Sequence, residues 1–314
     1  MQPEEQDDSQ GTGSPPGPGV TGHEAPPPGP EAPSPAPEAP PPGAEAPSSQ
    51  PTGPPPGLLD RVNNYVLLIY AGACLIMHYS LSGLLYFKGM IALSLSLPGI
   101  FAILTPLYLL SQRSPFGFVS EFRLVRPHPG TTAIVLVAAA SAIFPIDAFS
   151  GFFERLWPPD ADYTSFILSI KPKGPMSFFL IAIGVVLVAA LTEEILFRGF
   201  IQRIFQRNMN APLAIVFTGL IFALSHFNPP AIPGIAVLGM FFGYIFYRTG
   251  NLWHSVAAHA VYNLVTLVRL NASSEQDLAA SRVTMPDPTW TLVSLAVLAI
   301  CLWTLARIPR SARQ

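Results

Sequence analysis

Glu193 and Glu194 stand side by side in a stretch, residues 191–200, that is otherwise apolar apart from Thr192 and Arg198. Glu194 and Arg198 are spaced i,i+4, which on a helix puts them on one face and allows an ion pair. Glu193 then points about 100° away, because a helix turns once per 3.6 residues. One carboxylate can therefore be held by the arginine while its neighbour faces something else. His226 follows Phe222 by four residues, and His259 and Asn263 are again spaced i,i+4. Each signal has an ordinary reading too. A Glu–Arg pair can mark a helix end, a lone histidine is commonly a satisfied structural donor, and His259 with Asn263 can clamp two helices by hydrogen bonding. His254, one turn before His259, fits the ordinary reading.

As a set these residues offer hydrolysis. A carboxylate beside an imidazole can hold and deprotonate water, the general-base step. A second histidine and an asparagine can donate hydrogen bonds to the oxyanion of a tetrahedral intermediate. A different chemistry is open to the same side chains: a glutamate with two histidines makes a three-ligand zinc set with a fourth position for water. Neither route forms a covalent enzyme intermediate. The motifs His-Glu-x-x-His and Gly-x-Ser-x-Gly are absent, so a serine nucleophile has no anchor.

The elements that must carry these residues are membrane helices. The chain has 314 residues, of which 50% are apolar and only 11% charged, and its mean hydropathy is +0.41. Such a balance argues against an ordinary soluble enzyme. Eight long uncharged runs follow residue 58: 62–87, 89–112, 130–146, 175–192, 209–225, 227–247, 251–268 and 288–306. Each approaches the roughly 17–25 residues that cross a hydrocarbon core as a helix. The expected fold is all-α, a polytopic membrane protein of about eight spans. An ionisable residue inside such a span is a functional hypothesis by default. Counted from boundaries near Asn208, Pro212 and Asn251 at about 1.5 Å per residue, Glu193 and His226 both lie roughly 21–22 Å deep, with His259 and Asn263 roughly 12 and 18 Å in. The fourth, fifth and seventh spans can thus bring the set to one layer, unless residues 200–208, which are amphipathic, lie along the surface. In the sixth span Gly234, Gly239 and Gly243 allow close helix approach.

Loop charge suggests an orientation. With both termini inside, the inner segments carry Arg61, Arg113, Arg123, Arg126, Arg198, Arg203, Arg207, Arg248, Arg307, Arg310 and Arg313, eleven bases against six outside: Lys88, Arg155, Lys171, Lys173, Arg269 and Arg282. The expectation is a multi-pass protein of a bacterial inner membrane with cytoplasmic ends. Residues 1–57 differ from the rest, holding 19 of the 36 prolines, eight of the 19 acids and no Lys or Arg. That composition cannot offset its ordering entropy, so a disordered acidic spacer is expected, with a Pro-recognising partner as the functional alternative. Its acidic start lacks the basic and apolar regions of a cleavable signal peptide. Cys74 and Cys301 sit in apolar runs and read as small buried hydrophobes. Basic residues are scattered at helix ends with no stripe, which excludes nucleic acid as a partner; the bilayer and a membrane-associated peptide or protein substrate are the partners expected.

At the chemistry-bearing residues the sequence resembles the CPBP family, the CAAX proteases and bacteriocin-processing enzymes. That family is marked by Glu-Glu-x-x-x-Arg, Phe-x-x-x-His and His-x-x-x-Asn or Asp. Here the motifs stand as Glu193, Glu194 and Arg198, then Phe222 and His226, then His259 and Asn263, in family order. Residues 247–253 also look like the family's lead into its third motif. Each motif alone is weak; three together in apolar helices are specific. The resemblance covers about residues 175–270 and implies a four-helix catalytic core there. It implies Glu193 as general base, His226 holding the water, His259 and Asn263 on the oxyanion, and Glu194 with Arg198 organising the site. If a metal is required, Glu193, His226 and His259 would be its ligands. The family is often called metalloprotease, yet it also resembles a metal-independent glutamate protease, so zinc stays open. Substrates in the family include prenylated C-terminal Cys-a-a-X proteins, and roles in bacteria include bacteriocin maturation, self-immunity and scaffolding.

The chain then divides into a tail (1–57), three spans with a large outer loop (58–174), the catalytic core (175–270) and a last span with a short basic end (271–314). The leading reading is an intramembrane endopeptidase. A non-catalytic scaffold or immunity protein of the same fold is the alternative. A transporter with a Glu193–His226 proton relay is disfavoured, since no repeat relates the two halves.

Overall fold

The computed structural model describes residues 57–61, 63–279 and 285–308. The tail expectation for residues 1–56, and the bases Arg282, Arg310 and Arg313, lie outside the described residues. All described residues belong to the unit Gly53–Gln314, and among them there is helix and no strand. The protein is an all-α polytopic membrane protein.

The helices are α1 (Asn64–Phe87), α2 (Ile91–Ser111), α3 (Pro129–Leu156), α4 (Ala161–Ile170), α5 (Pro175–Asn208), α6 (Ala211–Leu224), α7 (Ile232–Thr249), α8 (Leu252–Ala272) and α9 (Pro288–Arg307). Their starts are written locally. Asn63, Asn210, Asn251 and Asp287 cap α1, α6, α8 and α9 by accepting backbone N–H bonds, the usual work of Asn and Asp at that position. Pro129, Pro175, Pro212 and Pro288 sit in first turns, where a missing N–H costs nothing. Gly250, at φ 65°, closes α7 in the left-handed region that favours glycine.

Every expected span finds a helix, with three differences. Six helices are long and apolar enough to cross a membrane. α6 has only 14 residues, about 21 Å at the helical rise, short of a core about 30 Å thick. α8 has 21 residues but is not among the six, because its polar side chains dilute its apolar character. α5 does not stop at residue 192; it runs 34 residues to Asn208, so residues 200–208 continue the helix rather than turning along a surface. Within it, π-helical turns at Ile183–Ala189 and Ile195–Gln202 flank the α-helical Ala190–Glu194. π-Turns inside α-helices recur at functional sites.

The second half of α5 is the axis of the bundle. All eight residues from Ile195 to Gln202 are buried, which requires neighbours on every side. Leu67, Ile103, Phe222, Phe246 and Leu252 pack around it from α1, α2, α6, α7 and α8. A second cluster joins Val135 and Ala142 of α3 to Phe242 of α7, Ala258 of α8 and Leu305 of α9. Outward-facing Ile69, Ile76, Leu292 and Ile300 are exposed on α1 and α9, as lipid-facing surfaces are.

Glycines set the closest helix contacts. A Cβ on Gly239 would come within 3.0 Å of the Gly219 Cα, and one on Gly243 within 2.7 Å of Gln202 Oε1. A Cβ on Gly234 would overlap Ser150. The expected tight packing of the sixth span is what these contacts require. Between α2 and α5, a Cβ on Gly99 would sit 2.7 Å from Thr192 Oγ1. That contact presses α2 against the turn bearing Glu193.

Candidate active site

Glu194 and Arg198 form the expected pair at 2.7 Å, with both side chains fully buried. Arg198 also donates to the Gly239 carbonyl at 2.8 Å, which the bare Gly219–Gly239 crossing leaves accessible. Its guanidinium lies 4.5 Å from the Phe222 ring centre. Glu194 accepts from Ser255 Oγ and is 2.9 Å from His259 Nδ1. Three polar groups on two helices thus meet around one carboxylate, and all are buried. A buried ion pair without such bonds would cost more than it returns.

His259 is oriented by this carboxylate. With Nδ1–H donating to Glu194, the ring presents Nε2 toward Glu193, 4.0 Å from Oε2. The ring stacks on Phe242 at 4.8 Å and 21°. Glu193 differs from its neighbour as the helix geometry predicts: its side chain is 20% exposed against zero for Glu194. Its Oε2 is buried and makes no hydrogen bond to the described residues.

His226 comes just after α6 ends, exposed on the wall of a cavity, with Nδ1 2.7 Å from the Phe222 carbonyl. Phe222 carries His226 on one side, at 4.8 Å between ring centres, and His259 on another, at 5.8 Å. The shortness of α6 is what exposes His226. Residues 225–228 are non-helical at membrane depth, which is tolerated where backbone lines a cavity. Phe227, the next residue, has φ 50°, a left-handed conformation that is costly for a bulky residue. The cavity is about 370 Å³ and is lined by Asp160, Asp162, Tyr163 and Phe166 besides His226 and residues 227–230. Tyr163, on α4 outside the spans, has its phenol pushed up by burial and by the nearby Glu154.

Asn263 stands one turn beyond this layer and donates from Nδ2 to the Val185 carbonyl at 2.8 Å. It ties α8 to the π-turn of α5. His254 meets Thr132 at 3.3 Å and takes no part in the site. The zinc arrangement does not fit this geometry. Among the described residues no three His, Cys, Asp or Glu side chains converge as metal ligands, His226 being turned to the cavity. Arg198, counted above as an inner loop base, is wholly inside the bundle, which leaves ten inner bases against six.

Two residues near the site were missed in the sequence. Ser255 gives no signal by type or spacing. His78 of α1 does: it is an ionisable residue in an apolar run, and it lies within electrostatic reach of Glu193 and His226.

No curated protein matches this chain. Residues 175–265 match the family model described as type II CAAX prenyl endopeptidase Rce1-like, less than a third of the chain but all three motifs. With its motif residues on α5, α6 and α8, this segment is similar to an Rce1-like endopeptidase domain, and the match supports a relationship to the CPBP family.

Proposed function

We propose that the protein is an intramembrane endopeptidase in which Glu193 activates water against a peptide bond of a membrane-associated substrate, of the prenylated CAAX type. The observation that carries this reading is the contrast between the two adjacent carboxylates. Glu194 is saturated by Arg198, Ser255 and His259, whereas the buried Oε2 of Glu193 has no partner and faces His259 Nε2. A base must keep a lone pair for its substrate, and only Glu193 does.

In this scheme Glu193 takes a proton from water and the hydroxide attacks the scissile carbonyl carbon. His226 helps to hold the water through Nε2, its Nδ1 being anchored on the Phe222 carbonyl. His259 in its doubly protonated form donates from Nε2 to the oxyanion while its Nδ1–H is fixed on Glu194. The second amide hydrogen of Asn263 supplies a further donor. Collapse of the intermediate breaks the C–N bond, and Glu193 returns its proton to the leaving nitrogen. The orientation with Asn208 and the chain ends on the cytoplasmic side belongs to the same proposal.

The test is cleavage of prenylated and transmembrane peptides by purified protein. Glu193→Gln is expected to lower kcat by at least about 100-fold and His226→Ala comparably, the usual range for general acid–base groups, with folding intact by thermal unfolding. Undiminished cleavage by Glu193→Gln would sink the assignment.

A further inference from the structure

His78 lies on α1, far outside the residues that carry the family motifs. Three buried polar atoms at and around the site have no partner among the described residues: Arg198 Nε, behind the Glu194 pair, and His78 Nδ1 and Glu193 Oε2. The His78 ring is held against the Pro98 backbone and lies in the field of Glu193 and His226. It also packs edge-on against Tyr79 at 5.0 Å, and Tyr79 in turn against Phe227 at 5.0 Å. Thus α1 reaches the same turn that carries His226. The contact of Gly99 with Thr192 fixes the other side, placing Pro98 one residue from a backbone pressed on the Glu193 turn.

A buried donor or acceptor without a partner carries its desolvation cost uncompensated. A single water that bonds to both would satisfy two such atoms together. We infer that His78 is a further residue of the active site, which holds through Nδ1 the water that Glu193 activates, so that the functional unit extends beyond the Rce1-like domain to α1 and α2. This rests on the proposed role of Glu193. The division of labour follows from geometry. Glu193 on α5 takes one hydrogen of the water and His78 Nδ1 on α1 accepts the other, and fixing a nucleophile in attack geometry lowers the barrier without covalent participation.

The experiment compares wild type with His78→Leu, His78→Asn and Glu193→Gln on an internally quenched prenylated CAAX peptide, with thermal unfolding of each. Asparagine places a polar atom near the position of Nδ1; leucine removes it. His78→Leu is expected to lose about tenfold to hundredfold in kcat, the size usual for a partner that orients a catalytic group, with KM and unfolding temperature unchanged. His78→Asn is expected to recover most of the loss. Wild-type kcat in His78→Leu beside an inactive Glu193→Gln overturns the role of His78 and leaves the glutamate reading standing. A loss that asparagine does not restore, accompanied by a lower unfolding temperature, marks a packing role and also overturns it. Activity retained in Glu193→Gln overturns the glutamate reading itself. Independently of any substrate, an experimental structure that resolves ordered water is expected to show one water bonded to both His78 Nδ1 and Glu193 Oε2. A water on Glu193 that avoids His78, or none between them, counts against the proposal.

Discussion

Two glutamates one residue apart, of the same chemistry, occupy opposite positions in the physics of this site. Glu194 is an organising group: it neutralises Arg198 and fixes the His259 ring, and both of its oxygens are bonded. Removing it leaves a buried guanidinium without its counter-charge, and breaking one half of a buried pair costs about 3–5 kcal/mol. Glu194→Ala should therefore lower thermal stability in detergent markedly. The double variant Glu194→Leu with Arg198→Met should lose less than the sum of the single changes. Additive losses in that double-mutant cycle would show that the pair is not coupled. The i,i+4 spacing made the pair readable in advance. That His259 and Ser255 share the same carboxylate was not, because 61 to 65 residues separate the partners and only folding joins them.

At the level of elements, the site depends on how closely α6 and α7 approach. A Cβ on Gly219 would meet the Met240 backbone nitrogen at 2.9 Å and the Ala236 carbonyl at 3.0 Å. Backbone cannot yield as a flexible side chain does, so Gly219→Ala must push the helices apart. The expected cost is about 1–3 kcal/mol, as for other overpacked contacts. Because Phe222 is on α6 and His226 follows its last turn, and Arg198 bonds to the Gly239 carbonyl, cleavage should fall along with the unfolding temperature. Normal values of both would mean that the crossing is looser than the structure has it. The sequence carried the small-residue pattern of α7 but not the short length of α6. The uncharged run spans residues 209–225, longer than the 14-residue helix, and the turn that follows at residues 225–228 leaves His226 exposed.

Viewed as a whole molecule, the bundle has two unlike ends. Asn64 bonds to Asn208, and Arg248 to the Leu305 carbonyl, gathering α1, α5, α7 and α9 at one end. At the other end Lys171 bonds to the Asn271 carbonyl and Tyr86 to Ser169, close to α4 and the cavity that receives His226. Single cysteines at Asn208 and Asp162, both exposed, should therefore react with a membrane-impermeant maleimide from opposite sides of sealed vesicles. Background from Cys74 and Cys301 should be small, since both are buried. Labelling of the two from one side would contradict the fold; labelling of Asn208→Cys only from the non-cytoplasmic side would invert the orientation.

What the sequence by itself determined were properties that repeat along the chain or lie within a few residues: the apolar runs of the spans, the Asn, Asp and Pro signals at their starts, and the three motif pairs whose members share one helix face. These depend on local periodicity and backbone chemistry, which a linear string displays. Tertiary structure alone decided that His259 lies between the two glutamates, that Asn263 bonds to the Val185 carbonyl, that three prospective zinc ligands do not converge among the described residues, and that Tyr79, next to His78 on the first helix, packs against Phe227 beside His226. Those outcomes turn on differences of an ångström in how separate helices cross, set by glycine contacts and π-turns that no local pattern announces.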